Sequence, residues 1–134
     1  MKAARNQGFT LLETLVATVL VALVMTALCA YVVASHKVRA HVEAAREASY
    51  AAHARCLLFA DGVIYPNIFS QAPGTTVTNH PALDTLPGGW PVDAVTETVS
   101  VAADGQSAGI AVTYVVETAS AQTATVTATG RRWQ

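Results

Sequence analysis

The sequence has no charged residue between positions 14 and 35 and no proline before Pro66. The absence of charge leaves an apolar run that is long enough to cross the hydrocarbon core of a bilayer, which takes about 20 helical residues. The absence of proline removes the residue that most often breaks or kinks a helix. Together these absences predict one helix that starts at Phe9 and continues beyond the apolar run.

Cysteine is also scarce, because the chain contains only Cys29 and Cys56. In a continuous helix these residues would lie about 40 Å apart, at a rise of about 1.5 Å per residue. A disulfide requires Cα atoms within about 7 Å, so none is expected within the chain. We expect Cys29 to pack in the apolar helix and Cys56 to lie beneath a sheet, with an intersubunit bond through Cys56 left open.

A single acid, Glu13, lies at the start of the apolar segment. A carboxylate in bilayer hydrocarbon costs roughly 2.5–3.5 kcal/mol on insertion scales, so a buried acid there predicts a function and a partner. The leader before it, residues 1–8, contains Lys2 and Arg5 and no acid. In a secretory signal the small residue at the cleavage site follows the apolar region, whereas here Gly8 precedes it. A cut at Gly8 would leave the helix on the mature chain.

The string that opens this segment is Gly8-Phe9-Thr10-Leu11-Leu12-Glu13-Thr14-Leu15-Val16-Ala17. It resembles the class III signal of the type IV pilin family, which includes pilins, pseudopilins of type II secretion and DNA-uptake pseudopilins. The resemblance implies that prepilin peptidase cuts between Gly8 and Phe9 and that the new amine of Phe9 is N-methylated. It also implies that Glu13 pairs with that amine on a neighbouring subunit. Losing either partner of such a pair would strand a buried charge, at about 3–5 kcal/mol.

The resemblance also implies partners and a location. The partners are other pilin or pseudopilin subunits, the prepilin peptidase and the inner-membrane assembly platform, with membrane lipid around the helix before assembly. The location is the bacterial inner membrane in a single pass, with the N-terminus cytoplasmic and the C-terminal domain periplasmic, and later a filament. The positive leader favours this orientation, while Lys37 and Arg39, just past the apolar run, weaken it.

One departure from the family narrows the expectation. Pilus-forming pilins and main pseudopilins usually carry a proline near the twenty-second mature residue, where this chain has Ala30. This departure, together with Leu11-Leu12-Glu13 and the short length, resembles minor subunits. Among these, the string from Thr10 to Ala17 looks most like that of the minor pseudopilins of a filament tip. The resemblance thus implies a structural subunit of a type II secretion pseudopilus with a tip or initiation role. Two alternatives stay open: a minor pilin of a type IV pilus, acting in assembly, adhesion or DNA uptake, and an anchored binding domain that never polymerises.

Small or apolar residues then recur in steps of three and four, the spacing of one helix face. They are Tyr31, Ser35, Val38, Val42, Ala45, Ser49, Ala52, Cys56 and Phe59. Asp61-Gly62 is a typical helix stop, so the helix should end near Ala60. The first half should be the membrane or filament-core part, and the second half should be amphipathic and lie against a small sheet.

The rest of the chain predicts turns and then strands. Residues 62–91 are rich in proline and glycine and predict a loop-rich connector, with short strands considered at 63–69 and 75–79. Trp90 in this connector fits a partner anchor and a core plug equally well. From Pro91 the period becomes two, which predicts a three-stranded antiparallel sheet. Its expected turns are Asp104-Gly105 and Ala119-Ser120-Ala121.

The predicted fold class is therefore α+β, a long N-terminal helix packed on a small antiparallel sheet in a pilin-like arrangement. Five segments follow from this interpretation. They are the leader (1–8), the transmembrane or filament-core helix (9–34), its amphipathic continuation (35–61), the variable connector (62–91) and the three-stranded sheet (92–134).

The sequence predicts no enzyme. Acids beyond residue 60 are scattered, and no catalytic or metal-binding spacing is found, so we expect no cofactor, no metal and no small-molecule substrate. The formal net charge of −1 would become −3 without Lys2 and Arg5, which argues against nucleic acid as a partner. The tail Arg131-Arg132-Trp133 could contact phosphate or stack on a base, but we favour a frayed, solvated terminus.

Overall fold

The structure is a computed structural model that describes residues 10–117 and 123–134. One long α-helix, a short 3-10 helix and four β-strands follow one another along the chain. They are α1 (Leu11–Ala60), the 3-10 helix (Ile68–Ser70), β1 (Thr76–Asn79), β2 (Val92–Val101), β3 (Ser107–Glu117) and β4 (Thr123–Trp133). The fold is α+β and pilin-like, as predicted. It divides into two compact units, of which the first ends at His36 and the second runs from Lys37 to Gln134.

In the first unit, α1 buries none of its side chains. Every residue from Thr10 to His36 is exposed, including the leucines and valines. The helix continues without a break through Ala30. By length and composition α1 could cross a membrane.

A Schellman motif ends α1. Gly62 takes a φ of +74°, which glycine adopts without steric cost. Its N–H donates to the carbonyl of Phe59 at 3.0 Å, and the N–H of Val63 donates to the carbonyl of Leu58 at 2.9 Å. These two bonds satisfy carbonyl groups that the last helical turn leaves without partners. The predicted stop at Asp61-Gly62 is confirmed.

The second unit contains a four-stranded antiparallel sheet of order β1-β2-β3-β4. The three strands predicted after Pro91 are β2, β3 and β4, and β1 adds a fourth at one edge. The β2–β3 turn is confirmed at Asp104-Gly105, where Gly105 has a φ of +68° and the Asp104 carboxylate accepts the N–H of Gln106 at 2.9 Å. The turn predicted at 119–121 lies outside the described residues.

Of the two short strands considered in the connector, one is confirmed and one is wrong. Residues 75–79 contain β1, whereas residues 63–69 form turns and enter the 3-10 helix. Tyr65 takes a φ of +52°, which turns the chain at that point. Its carbonyl then accepts the N–H of Ile68 at 3.2 Å. A turn centred on Tyr65-Pro66-Asn67 therefore replaces the predicted strand.

The inward faces of β2 and β3 form the core with the helix. Alternate residues of both strands are buried, as the period of two predicted. They are Val95, Glu97, Val99 and Val101 in β2, and Ile110, Val112, Tyr114 and Val116 in β3. The opposite face carries mainly threonine, serine and other small side chains.

The helix face that packs on this core consists largely of alanine. Its buried residues are Ala44, Ala48, Ala52, Cys56 and Phe59. The last three agree with the predicted face, but the earlier part of that prediction is wrong, because Val42 is 58% exposed and Ala45 and Ser49 are half-buried. Small side chains let the two backbones approach closely: a Cβ on Gly130 of β4 would lie 3.0 Å from the Cβ of Cys56.

Trp90 and residues 131–133 both have defined places in the fold. Trp90 is half-buried against the core, which favours the core-plug interpretation. Residues 131–133 are the end of β4 rather than a frayed terminus, so that interpretation is wrong. The Arg132 guanidinium packs over the Phe69 ring at 5.5 Å, so the end of β4 contacts the connector. Both cysteines are free, with Cys29 exposed and Cys56 buried.

Candidate assembly site at the start of the helix

The first turn of α1 is closed by a reciprocal pair of hydrogen bonds between Thr10 and Glu13. The Thr10 hydroxyl accepts the N–H of Glu13 at 3.3 Å, and Oε2 of the Glu13 carboxylate accepts the N–H of Thr10 at 3.3 Å. The Thr10 hydroxyl also lies 3.3 Å from Oε2. This is a capping box, in which a threonine and a glutamate three residues later satisfy backbone N–H groups that have no helical partner.

Glu13 also has a favourable electrostatic position. A negative charge in the first turn of a helix lies near the positive end of the helix dipole. The carboxylate is exposed, and no other charged residue follows until Lys37. The chain therefore presents one acidic side chain at the start of an exposed apolar segment, residues 11–36, where it can accept hydrogen bonds from a cation.

The predicted processing residues, Gly8 and Phe9, lie outside the described residues. The predicted helix start at Phe9 is therefore outside them as well, and α1 begins at Leu11 in the described part of the chain. Glu13 lies in the first turn, as the sequence indicated. Its pairing with the amine of a neighbouring subunit stays a prediction.

A second polar site, within the second unit, was not predicted. Glu97 faces the core from β2 and is only 1% exposed. Its Oε1 pairs with the guanidinium Nε of Arg55 on α1, and its Oε2 accepts the hydroxyl of Tyr65 at 2.9 Å. The amide of Asn79 on β1 donates to the Tyr65 oxygen at 3.2 Å. The Glu97 carboxylate on β2 is thus linked to α1 through Arg55 and to the connector through Tyr65, which in turn bonds to Asn79 on β1.

The protonation state of Tyr65 fits this arrangement. Burial raises the pKa of the Tyr65 hydroxyl above its ordinary value, because a buried site disfavours the phenolate. The hydroxyl therefore keeps its proton at neutral pH and donates to Glu97. A buried carboxylate with two such partners avoids the large cost of an unpaired buried charge.

The sequence did carry a signal for this site. Glu97 occupies the inward phase of β2 among three valines, where an unpaired acid would be costly. Its partners could not be chosen from the sequence, since Arg55 and Tyr65 lie 42 and 32 residues away along the chain. The cluster has a structural role, because all four groups are already paired with one another.

A smaller contact ties the connector to the helix. The carboxylate of Glu47 accepts the backbone N–H of Gly88 at 2.9 Å. A Cβ on Gly88 would collide with that carboxylate, so a side chain there would displace Glu47. In the described part of the chain, no group of three or more His, Cys, Asp or Glu side chains could hold a metal ion.

The comparisons with known proteins bear on the first of these sites. A family model described as the prokaryotic N-terminal methylation motif matches residues 3–28. This match supports a type IV pilin-like subunit and covers Gly8, Phe9 and Glu13. No curated protein and no solved structure matches the chain. The motif and the exposed apolar helix are consistent with a membrane-anchored pilin.

Proposed function

We propose that this chain is a minor pilin or pseudopilin, a structural subunit of a type II secretion pseudopilus with a tip or initiation role in protein export. The observation that carries the proposal is the exposed apolar part of α1, which overlaps the methylation motif and has one acid, Glu13, in its first turn. An apolar surface of this size needs a lipid or protein environment. A filament of such helices supplies one after the subunit leaves the membrane.

In the proposed mechanism, prepilin peptidase removes residues 1–8 and the amine of Phe9 is methylated. The chain stays in the inner membrane, with its N-terminus cytoplasmic and residues 37–134 periplasmic, until the assembly platform takes it into the filament. There Glu13 accepts the amine of a neighbouring subunit. Pairing two charges in an apolar bundle sets the axial position of one helix against the next, since displacement would leave both charges unpaired.

The first test is the intact mass of the full chain expressed with and without a prepilin peptidase. We expect a peptidase-dependent loss of residues 1–8 and the mass of one added methyl group on Phe9. Replacing Gly8 by a bulky residue should leave the chain uncut, while the same change at Gly74, in an exposed turn, should not affect processing. A chain that stays uncut, or is cut after the apolar segment, contradicts the proposal.

A second test separates a filament subunit from a non-polymerising anchored domain. Glu13→Ala should abolish incorporation into filaments while the protein remains in the membrane, because the helix itself stays apolar. Glu43→Ala, on the same helix but exposed in the second unit, is the matched control and should assemble normally. An anchored domain would work equally well with either substitution.

A minor pilin of a type IV pilus is the second candidate, because the unbroken helix through Ala30 is expected of minor subunits of both machines. Deletion of the gene in its host distinguishes them. Loss of exported proteins from the medium with surface pili retained supports the pseudopilus. Loss of pili, adhesion or DNA uptake with export intact supports the pilus.

A further inference from the structure

The sheet has two edge strands, β1 and β4, and the hydrogen-bond pattern shows which of their residues direct backbone groups away from the sheet. Gln134 donates its N–H to the carbonyl of Gln106 at 3.0 Å, which continues the β3–β4 ladder and fixes its phase. The even-numbered residues of β4 therefore bond to β3, and the odd-numbered ones direct their N–H and C=O groups outward. Val101 donates to the carbonyl of Thr75 at 2.9 Å, so Thr76 and Thr78 of β1 likewise point theirs outward.

The β4 edge lacks the usual protection. Sheets of soluble proteins protect their edges with lysine, proline, bulges or very short strands. β4 has eleven residues and no proline, its first eight residues are uncharged, and its only charged side chains are Arg131 and Arg132 near its end. Within the described residues no backbone hydrogen bond reaches its outer side. Such a strand is suited to accept another strand.

The direction of the edges selects the form of pairing. In a four-stranded antiparallel meander, β1 and β4 run in opposite directions. A second copy placed beside the first in the same orientation therefore brings its β1 antiparallel to β4. Antiparallel pairing of β4 with β4 would instead need a twofold axis perpendicular to the sheet. That axis would reverse the helix segment 37–60, which lies against the sheet, in one of two copies anchored in one membrane.

We propose that β4 of one copy pairs with β1 of a second copy held in the same orientation, which joins their two four-stranded sheets into one antiparallel sheet. Continuing the rows of the sheet sets Arg131 beside Thr76 of the second copy and Thr129 beside Thr78 of the second copy. All four residues direct backbone groups outward. The proposal rests on the proposed function only for the shared membrane orientation.

The length of β1 limits the contact. Pro73 and Pro81 flank it, and proline interrupts regular pairing, so only four residues can pair. No lysine, arginine or acid occurs in residues 72–80, so Arg131 meets no like charge. So few backbone bonds make a weak contact in solution. Tethering in one membrane or filament makes the contact effective, because linked partners reach effective concentrations of about millimolar.

The test is thiol crosslinking between two differently tagged full-length copies, coexpressed with prepilin peptidase and analysed in membranes. Both copies carry Cys29→Ala, and Cys56 is buried. One copy carries Thr129→Cys and the other Thr78→Cys. Within one chain these positions are three strand spacings apart, about 14 Å at about 4.8 Å each, so a short crosslinker can join them only between copies. We expect a covalent heterodimer.

Thr123→Cys replaces Thr129→Cys in the matched control. Thr123 lies on the same edge but about 20 Å further along β4, at about 3.4 Å per residue, and should give no heterodimer with Thr78→Cys. Adding Thr76→Pro to the second copy removes an outward N–H without touching the β1–β2 bonds, and should lower the Thr129 yield to the level of the Thr123 control.

Equal crosslinking at Thr129 and Thr123, or none at either, overturns the edge pairing. If those copies are still cut after Gly8, and if they co-purify in a way that Glu13→Ala abolishes, the proposed function stands without the edge pairing. If the chains are not processed, the proposed function fails, whereas a heterodimer at Thr129 but not at Thr123 would still support the edge pairing between copies anchored in one membrane. The two failures are therefore distinguished by the mass of the chains.

Discussion

Residues 11–36 and residues 37–60 belong to one helix, but the first stretch exposes its apolar side chains and the second buries one face. The first stretch carries leucine and valine on all sides, and all of it is exposed. The second stretch buries mainly alanine, at Ala44, Ala48 and Ala52, beneath a sheet that covers one side. Burial of a leucine or valine is worth roughly 1.5–3 kcal/mol. The first stretch gains this only from lipid or other subunits, whereas the second gains its stability within the chain.

Among the substitutions that test this difference between the two stretches, Arg55→Ala should have the largest effect on stability. It leaves the Glu97 carboxylate buried without its cation, which costs about 3–5 kcal/mol, while the helix of the first unit should be unaffected. Urea unfolding of the full chain in mild detergent, followed by tryptophan fluorescence, measures the loss. Arg39→Ala, an exposed arginine on the same helix, is the control and should leave the midpoint unchanged.

Removing the other partner should cost less. Glu97→Ala leaves Arg55, whose side chain is already 33% exposed and can turn toward water. An equal loss for the two substitutions would contradict the view that the burial of Glu97, rather than the ion pair itself, sets the cost.

Next in size is the effect of enlarging the alanine face. Ala48→Leu should lower the free energy of unfolding by about 1–3 kcal/mol, because the site has no room for three more carbon atoms. Ala54→Leu, on the exposed side of the same segment, and Ala27→Leu, in the first stretch, should stay within about 0.5 kcal/mol. A similar cost at all three positions would show that the two stretches are packed alike.

A smaller effect is expected at the helix end. Gly62→Ala places a Cβ on a residue with a positive φ, at roughly 1–2 kcal/mol, and 2.9 Å from the Arg132 guanidinium. Gly74→Ala has a similar φ of +82° with nothing within 4 Å. The difference between their unfolding midpoints therefore isolates the contact with Arg132. No difference would mean that β4 does not hold the helix end.

The smallest effect concerns pH. Burial raises the pKa of both Tyr65 and Tyr114 in the second unit, while an unfolded tyrosine titrates near about 10. Above about pH 10 the folded chain thus holds more protons than the unfolded chain, and the free energy of unfolding falls as pH rises. Tyr114→Phe should reduce this fall, and it should leave the pH dependence of the free energy of unfolding between pH 7 and about 9 unchanged. A fall that is unaltered in the variant contradicts this assignment.

The fold could be predicted from the sequence wherever a residue pattern is compatible with only one local structure. The charge-free run, the absence of early proline and the Asp61-Gly62 stop predicted the helix end at Ala60. Alternating valine and threonine predicted β2, β3 and β4 with the correct inward residues. The position of Glu13 at the helix start followed from the same string that the methylation motif now matches.

The remaining features depended on contacts between distant residues. The spacing of small or apolar residues placed Val42 on the buried helix face, but the buried face uses Ala44 and Ala48 instead. Residues 131–133 resembled a frayed end because the covering ring, Phe69, lies more than 60 residues earlier. The Arg55–Glu97 pair was missed for the same reason, since neither local spacing nor composition indicates its partner.

The contact between Arg132 and the helix end at Gly62 also has a consequence for the order in which the chain is made. A chain is synthesised from its N-terminus, and each ladder of this meander joins strands that are neighbours in sequence. Each ladder can therefore form soon after its second strand emerges. The helix face at Cys56, by contrast, is covered only when Gly130 of β4 is in place. Until β4 has been made, the helix segment 37–60 depends more on its own alanine-rich helical propensity.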